Sequence, residues 1–150
     1  MIYWDTSAIL PLYVQEPSSA FWEAQLVKSE GAAKSSALAI TEFSYALHHK
    51  VLRGVLKLDA ANQLVAKFHQ DCDANMWTLC PIGSDVIQSS LEIAKSSYSP
   101  SKSAAPIPLR SLDGLHLGAA QILKCGTVAT GDRRLADAAS RLDIDVLFPG

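Results

Sequence analysis

At 150 residues the chain has room for one domain with a substantial core. Hydrophobic content of 49% against 19% charged residues describes a globular protein and excludes a disordered one. A net charge of −2 excludes a global basic field, so a polyanion would have to be met by local patches or bound cations.

In chain order, Ile2–Trp4 is an aromatic and β-branched run that reads as a strand. Residues 7–14 read as a short helix ended near Glu16-Pro17. Ser18-Ser19 open a second helix, with Phe21, Trp22, Leu26 and Val27 as its candidates for a buried face. Gly31 ends that helix and residues 32–35 form a short strand. Ile40, Phe43, Leu47 and Val51 recur at helical spacing through Arg53-Gly54. Asp59 is the expected cap of the next helix, whose stripe is Leu64, Val65, Phe68 and Cys72.

Residues 76–82 read as a strand, and Ser84 starts a helix carrying Ile87, Leu91 and Ala94. Residues 96–108, rich in Ser, Ala and Pro, read as a mobile loop rather than a domain linker. Ser111 is the expected cap of a helix running to Lys124, followed by a strand at 127–130, a helix at Arg133–Arg141 and a strand at 144–148. Alternating strands and helices imply a mainly parallel sheet covered on both faces, a three-layer α/β/α sandwich in one domain spanning 1–150.

Cys72, Cys80 and Cys125 form an odd set without CxxC spacing, which argues against a zinc site or disulfide framework and for a reducing compartment. The amino terminus lacks a basic run, and no uncharged apolar stretch is long enough for a bilayer, so a cytoplasmic protein is expected.

The acids carry the functional signal. Asp5 ends the first strand, Asp132 follows the 127–130 strand by one glycine, Asp113 lies in a first helical turn, and Glu42 lies early in its helix. In a parallel α/β layer, strand carboxyl ends and helix amino ends share one edge, which is where ligands bind. Two carboxylates 4 Å apart repel by about 4 kcal/mol at an effective dielectric of 20, so converging acids must shift their proton affinities or bind cations. Oxygen ligands without His or Cys suit Mg²⁺ or Mn²⁺, ions that generate hydroxide from water and offset charge on a phosphodiester.

Blander roles compete. Asp5 and Asp132 fit helix caps, Asp113 a first-turn acid favoured by the helix dipole, and Glu42 a solvated helix residue. A phosphatase using Asp5 as nucleophile would need a second Asp at the position of Ser7, and a receiver-type signalling domain would need early paired acids and a later Lys after a strand. Neither pattern is present.

The stretches IYWDTSAIL, SSALAITEFSYAL, RSLDGLHLGAA, ATGDRRLADAA and DVLFPG, spread over residues 2 to 150, resemble the PIN-domain nucleases, in particular the VapC toxins of toxin–antitoxin pairs. The resemblance implies an Mg²⁺- or Mn²⁺-dependent endoribonuclease with Asp5, Glu42, Asp113 and Asp132 as its acidic positions, Asp5 and Asp113 being the direct metal ligands. It assigns Ser7 and Thr130 to hydroxyl positions that orient the site, and it implies an RNA substrate, a homodimer and a VapB-type antitoxin partner. A PIN-fold RNA-processing nuclease outside such a pair and an inactive RNA-binding relative are the alternatives. Gly131 departs from the family, which often has a bulkier residue there, and residues 96–108 are longer than its usual connection.

Arg110, Arg133 and Arg134 flank two of the acids and are candidates for RNA phosphates, with a solvated or salt-bridged surface as the equal alternative. His116, three residues after Asp113, is expected to be a structural histidine beside the core, and His48 and His49 to complement a helix C-terminus. Trp4 and Trp22 are expected in the core, with Tyr13 a candidate for a partner surface.

Overall fold

A computed structural model describes residues 1–31, 33–98 and 105–150. The elements are β1 (Ile2–Trp4), α1 (Thr6–Ile9), a 3-10 turn (Leu10–Leu12), α2 (Ser19–Lys28), β2 (Ala33–Ser36), α3 (Leu38–Leu52) and α4 (Leu58–Asp73), then β3 (Trp77–Cys80), α5 (Ser84–Tyr98), α6 (Ser111–Ile122), β4 (Thr127–Ala129), α7 (Arg133–Arg141) and β5 (Asp145–Leu147). The five strands pair in parallel in the order β3-β2-β1-β4-β5. The chain winds from β1 toward one edge and later returns to build the other, so the switch point lies between β1 and β4.

Side chains alternate along β1 and divide the core in two. Tyr3 joins Val86 and Ile93 of α5, Leu117 of α6 and Leu135 of α7 on one face. Trp4 joins Ile9, Trp22, Phe43, Leu47 and Phe68 on the other. The result is the expected three-layer α/β/α arrangement.

Local chemistry explains the turns. Pro11 sits in the 3-10 turn, so the helix expected over 7–14 breaks into two short pieces. Gly54, Asn75, Lys124 and Asp143 each take a positive φ just past α3, α4, α6 and α7. In each case that residue and its successor donate back into the last helical turn; Lys124 N–H bonds the Gln121 carbonyl at 2.9 Å and Cys125 N–H the Ala120 carbonyl at 3.0 Å. These left-handed caps satisfy the orphan carbonyls and turn the chain out of the helix.

Several sequence expectations are corrected. Val27 is 86% exposed, because α2 turns Trp22 inward and the position five residues on points away. Ile87 and Leu91 face outward at 47% and 52% exposure, because α5 instead buries Val86, Ile93 and Ser97. Lys57, not Asp59, stands at the cap of α4, and Arg110, not Ser111, at that of α6. The start of the expected 96–108 loop is the last turn of α5, and residues 99–104 of it lie outside the described residues.

Helices α5 and α6 approach closely through glycine. A Cβ at Gly118 would stand 2.8 Å from the Val86 carbonyl and 3.2 Å from the Ser90 nitrogen. That proximity fixes α6, which carries Asp113 and His116, against α5. No described helix is long and apolar enough to cross a membrane.

Candidate metal centre

Asp5 occupies the carboxyl end of β1, next to β4, at the switch point where open parallel sheets bind ligands. It stands at the cap position of α1, yet its side chain makes no capping bond; its backbone carbonyl takes the Ala8 and Ile9 N–H groups instead. The carboxylate is buried, and its Oδ2 accepts from Ser7 Oγ at 2.5 Å and Thr130 Oγ1 at 2.9 Å. Ser7 Oγ in turn accepts from the Gly131 N–H at 2.8 Å, and Thr130 Oγ1 from the Asp132 N–H at 3.0 Å. The loop after β4 is thereby tied to Asp5 through two hydroxyls, and the blander reading of Asp5 as a side-chain cap is excluded.

Glu42 reaches the same edge from α3. Its Oε1 accepts from Thr6 Oγ1 at 2.9 Å and from His116 Nε2. His116 is 2% exposed; its Nε2 also lies 3.4 Å from Asp5 Oδ1, while its Nδ1 is 2.7 Å from the Tyr3 hydroxyl. The expected structural histidine is therefore buried and hydrogen-bonded, but its partners are the acids. Among the described residues, Asp5, Glu42 and His116 form the group whose ligand atoms all lie within 4.8 Å of one another. That corrects the expectation of a cluster with no histidine beside it.

Asp113 and Asp132 flank this group and are linked by one cation. Asp113, buried in the first turn of α6, accepts from the Arg110 N–H at 3.2 Å and lies 3.6 Å from Arg110 Nε. Asp132 Oδ2 lies 3.5 Å from Arg110 Nη2, and its Oδ1 accepts the Arg134 N–H at 2.8 Å, so it also caps α7. Arg133 stacks its guanidinium 4.7 Å from the Phe148 ring centre, and Arg134 is exposed. Of the three arginines, Arg110 alone pairs with the acids.

Burial opposes ionisation of Glu42, but the His116 hydrogen bond and charge, with Thr6 and Arg110, hold its carboxyl below the usual value. Burial likewise works against a charged His116, yet the Glu42 hydrogen bond and the charges of Asp5, Glu42 and Asp113 carry its pKa above the usual one. Burial also pushes the Tyr3 phenol up, so it stays protonated. Adjacent carboxylates partly neutralised by one arginine and one histidine fit a divalent cation, the standard relief for clustered buried acids.

A cavity of ≈ 300 Å³ lined by Glu42, Arg110, Ser111, Leu112 and Asp113 opens beside the centre. A larger one of ≈ 550 Å³ lies beside Tyr13, Met76 and Trp77, but its buried carboxylate, Asp71, is already held by Tyr13 at 2.6 Å and Lys67 at 2.7 Å. The first cavity is the one that borders the acidic cluster. Sequence reasoning passed over Thr6 and Tyr3 as site residues. Their positions, Thr6 directly after Asp5 and Tyr3 two residues before it, were the available signal.

Comparison with known proteins agrees with this fold. No curated protein matches the chain. The crystal structure of FitAcB from Neisseria gonorrhoeae superimposes with a TM-score of 0.73 at 22% identity, over 99% of this chain and 98% of that one. The structure of FitAB bound to an IR36 DNA fragment gives 0.70 at 23% identity, over 99% and 95%. The PIN domain pattern matches residues 2–141, and the chain belongs to the PIN domain family.

Proposed function

We propose that this protein is a metal-dependent endoribonuclease, one PIN nuclease domain over 1–150, acting as the toxin of a VapBC-type pair. The observation that carries the reading is the apposition of Asp5 and Glu42 at the β1–β4 switch point, inside a PIN domain. Asp5 and Asp113 would hold an Mg²⁺ or Mn²⁺ ion, with Glu42 supporting them, and Asp132 would support a water-bridged contact or a second ion. When bound, that ion supplies an activated water and offsets charge on the phosphodiester.

The chain's own groups do the positioning. Ser7 and Thr130 orient the Asp5 carboxylate through their two hydrogen bonds. Arg110, on the wall of the 300 Å³ cavity, meets an RNA phosphate, and the exposed Arg134, two residues after Asp132 in the chain, offers a second phosphate contact. The outward stripe of Ile87, Leu91 and Tyr98 on α5 supports a homodimer. The DNA-bound FitAB assembly supports a DNA-binding, VapB-type antitoxin as partner here.

The test is cleavage of labelled RNA by the purified chain. Activity should vanish in EDTA, return with excess Mg²⁺, and be absent in Asp5→Asn at an unchanged unfolding midpoint. Full activity in EDTA or in Asp5→Asn overturns the reading, and RNA binding without cleavage would favour the inactive RNA-binding alternative. Growth arrest on expression, relieved by the product of an adjacent small reading frame, tests the toxin role; without it, an RNA-processing nuclease is the better assignment.

A further inference from the structure

His116 offers a nitrogen at the right distance to ligate a cation bound by Asp5 and Glu42. The hydrogen-bond pattern around the ring argues otherwise. Nε2 faces two carboxylate oxygens, Glu42 Oε1 and Asp5 Oδ1, the latter at 3.4 Å. A bare nitrogen there, on a ring that is 2% exposed, would set its lone pair against theirs, so Nε2 carries a hydrogen whether the ring is neutral or charged.

The far side of the ring is equally committed. Nδ1 lies 2.7 Å from the hydroxyl of Tyr3, which is fully buried and packs edge-on against the imidazole with centroids 5.8 Å apart. A neutral ring takes the phenolic hydrogen at Nδ1 and keeps its own at Nε2. Ligation through Nε2 would expel that hydrogen and break the contact with Glu42. Ligation through Nδ1 would require the cation to take the place of the Tyr3 hydroxyl.

We infer that His116 is a positioning residue, an Nε2–H donor anchored by Tyr3 that holds Glu42 and Asp5 for the cation and does not itself ligate it. This rests on the cation site proposed above and adds to it a reason for ion choice. With His116 occupied as a donor, the cation meets oxygen ligands alone, a set that favours Mg²⁺ or Mn²⁺ over Zn²⁺. Removing partners that orient metal ligands typically costs 10–100-fold in affinity.

The decisive measurement is nitrogen–proton correlation spectroscopy on protein with ¹⁵N-labelled histidine, free and then saturated with Mg²⁺. The Nε2 proton of His116 should be present in the free protein and persist at saturation. By calorimetry, His116→Ala should weaken Mg²⁺ binding about tenfold or more, while His116→Gln, whose amide can donate to Glu42, keeps most of it. A bare Nε2 in the free protein, loss of its proton as Mg²⁺ binds, or unchanged affinity in a folded His116→Ala overturns the inference. If Mg²⁺ does not bind the wild type, the proposed function falls, and the spectrum of the free protein still decides whether His116 is the donor described.

Discussion

Arg110 lies 3.5 Å from Asp132 through Nη2 while its Nε lies 3.6 Å from Asp113, so one largely exposed guanidinium spans two acids that arrive from different helices. It acts as the chain's own counter-cation at the mouth of the centre. Arg110→Ala is expected to raise Mg²⁺ affinity by up to about fivefold, the equivalent of the ~1 kcal/mol an exposed pair contributes. The same change should raise the KM for RNA, because a phosphate contact is lost. Calorimetry and steady-state kinetics on one preparation check both, and weaker Mg²⁺ binding in the variant would refute the counter-cation role.

Cation binding should appear as stability. A ligand that binds only the folded state adds about 2.7 kcal/mol at 100 times its dissociation constant. The unfolding midpoint is therefore expected to rise with Mg²⁺ in the wild type and to stay flat in Asp5→Asn. Differential scanning calorimetry at several Mg²⁺ concentrations reads this directly.

The stability of the metal-free protein should depend on pH through Glu42 and His116. The folded Glu42 pKa lies below its ordinary 4.5, so its contribution is present above that pH and drains as pH falls through the lower folded value. The folded His116 pKa lies above its ordinary 6.5, so its contribution is complete below that pH and drains as pH rises through the folded value. Urea midpoints in EDTA should thus be highest between about 4.5 and 6.5. Asp71, also held below its usual range despite burial by Lys67 and Tyr13, adds to the acid limb. The alkaline limb is diagnostic, and His116→Gln should flatten it.

Two glycines in the same fold should differ in their response to alanine. At Gly118 the new Cβ meets backbone of α5 at 2.8 Å, which cannot yield without separating the helices. Gly118→Ala is expected to cost roughly 1–3 kcal/mol, the usual range for overpacking. At Gly131 the Cβ would lie 3.6 Å from Ser7, an ordinary contact, so Gly131→Ala should be close to neutral. Thermal unfolding of the pair checks the contrast.

Much of this molecule is legible without coordinates. The order of strands and helices follows from local periodicity and turn residues, and Asp5, Glu42, Asp113 and Asp132 were placed at the ligand-binding edge by the alternation itself. The outward turn of α5 was not legible, because Ile87, Leu91 and Ala94 satisfy the helical period as well as Val86, Ile93 and Ser97 do. Tertiary packing, of Val86 and Ile93 into the core and of α5 against α6 at Gly118, selects between two faces about 100° apart.

The sequence by itself thus determined the layer architecture and the sheet edge at which Asp5, Glu42, Asp113 and Asp132 stand, since the element bearing each acid is set by residues close to it in the chain. Tertiary structure alone decided how those acids are partnered. The Tyr3 hydroxyl meets His116 across a separation of 113 residues, and Thr130 meets Asp5 across 125. Such contacts depend on strand order and on the rotation of each helix about its axis, and no local pattern carries either. Asp5 was visible as an acid at the end of a strand; the two hydroxyls that aim it, and the histidine beside it, exist only once the sheet has closed around them.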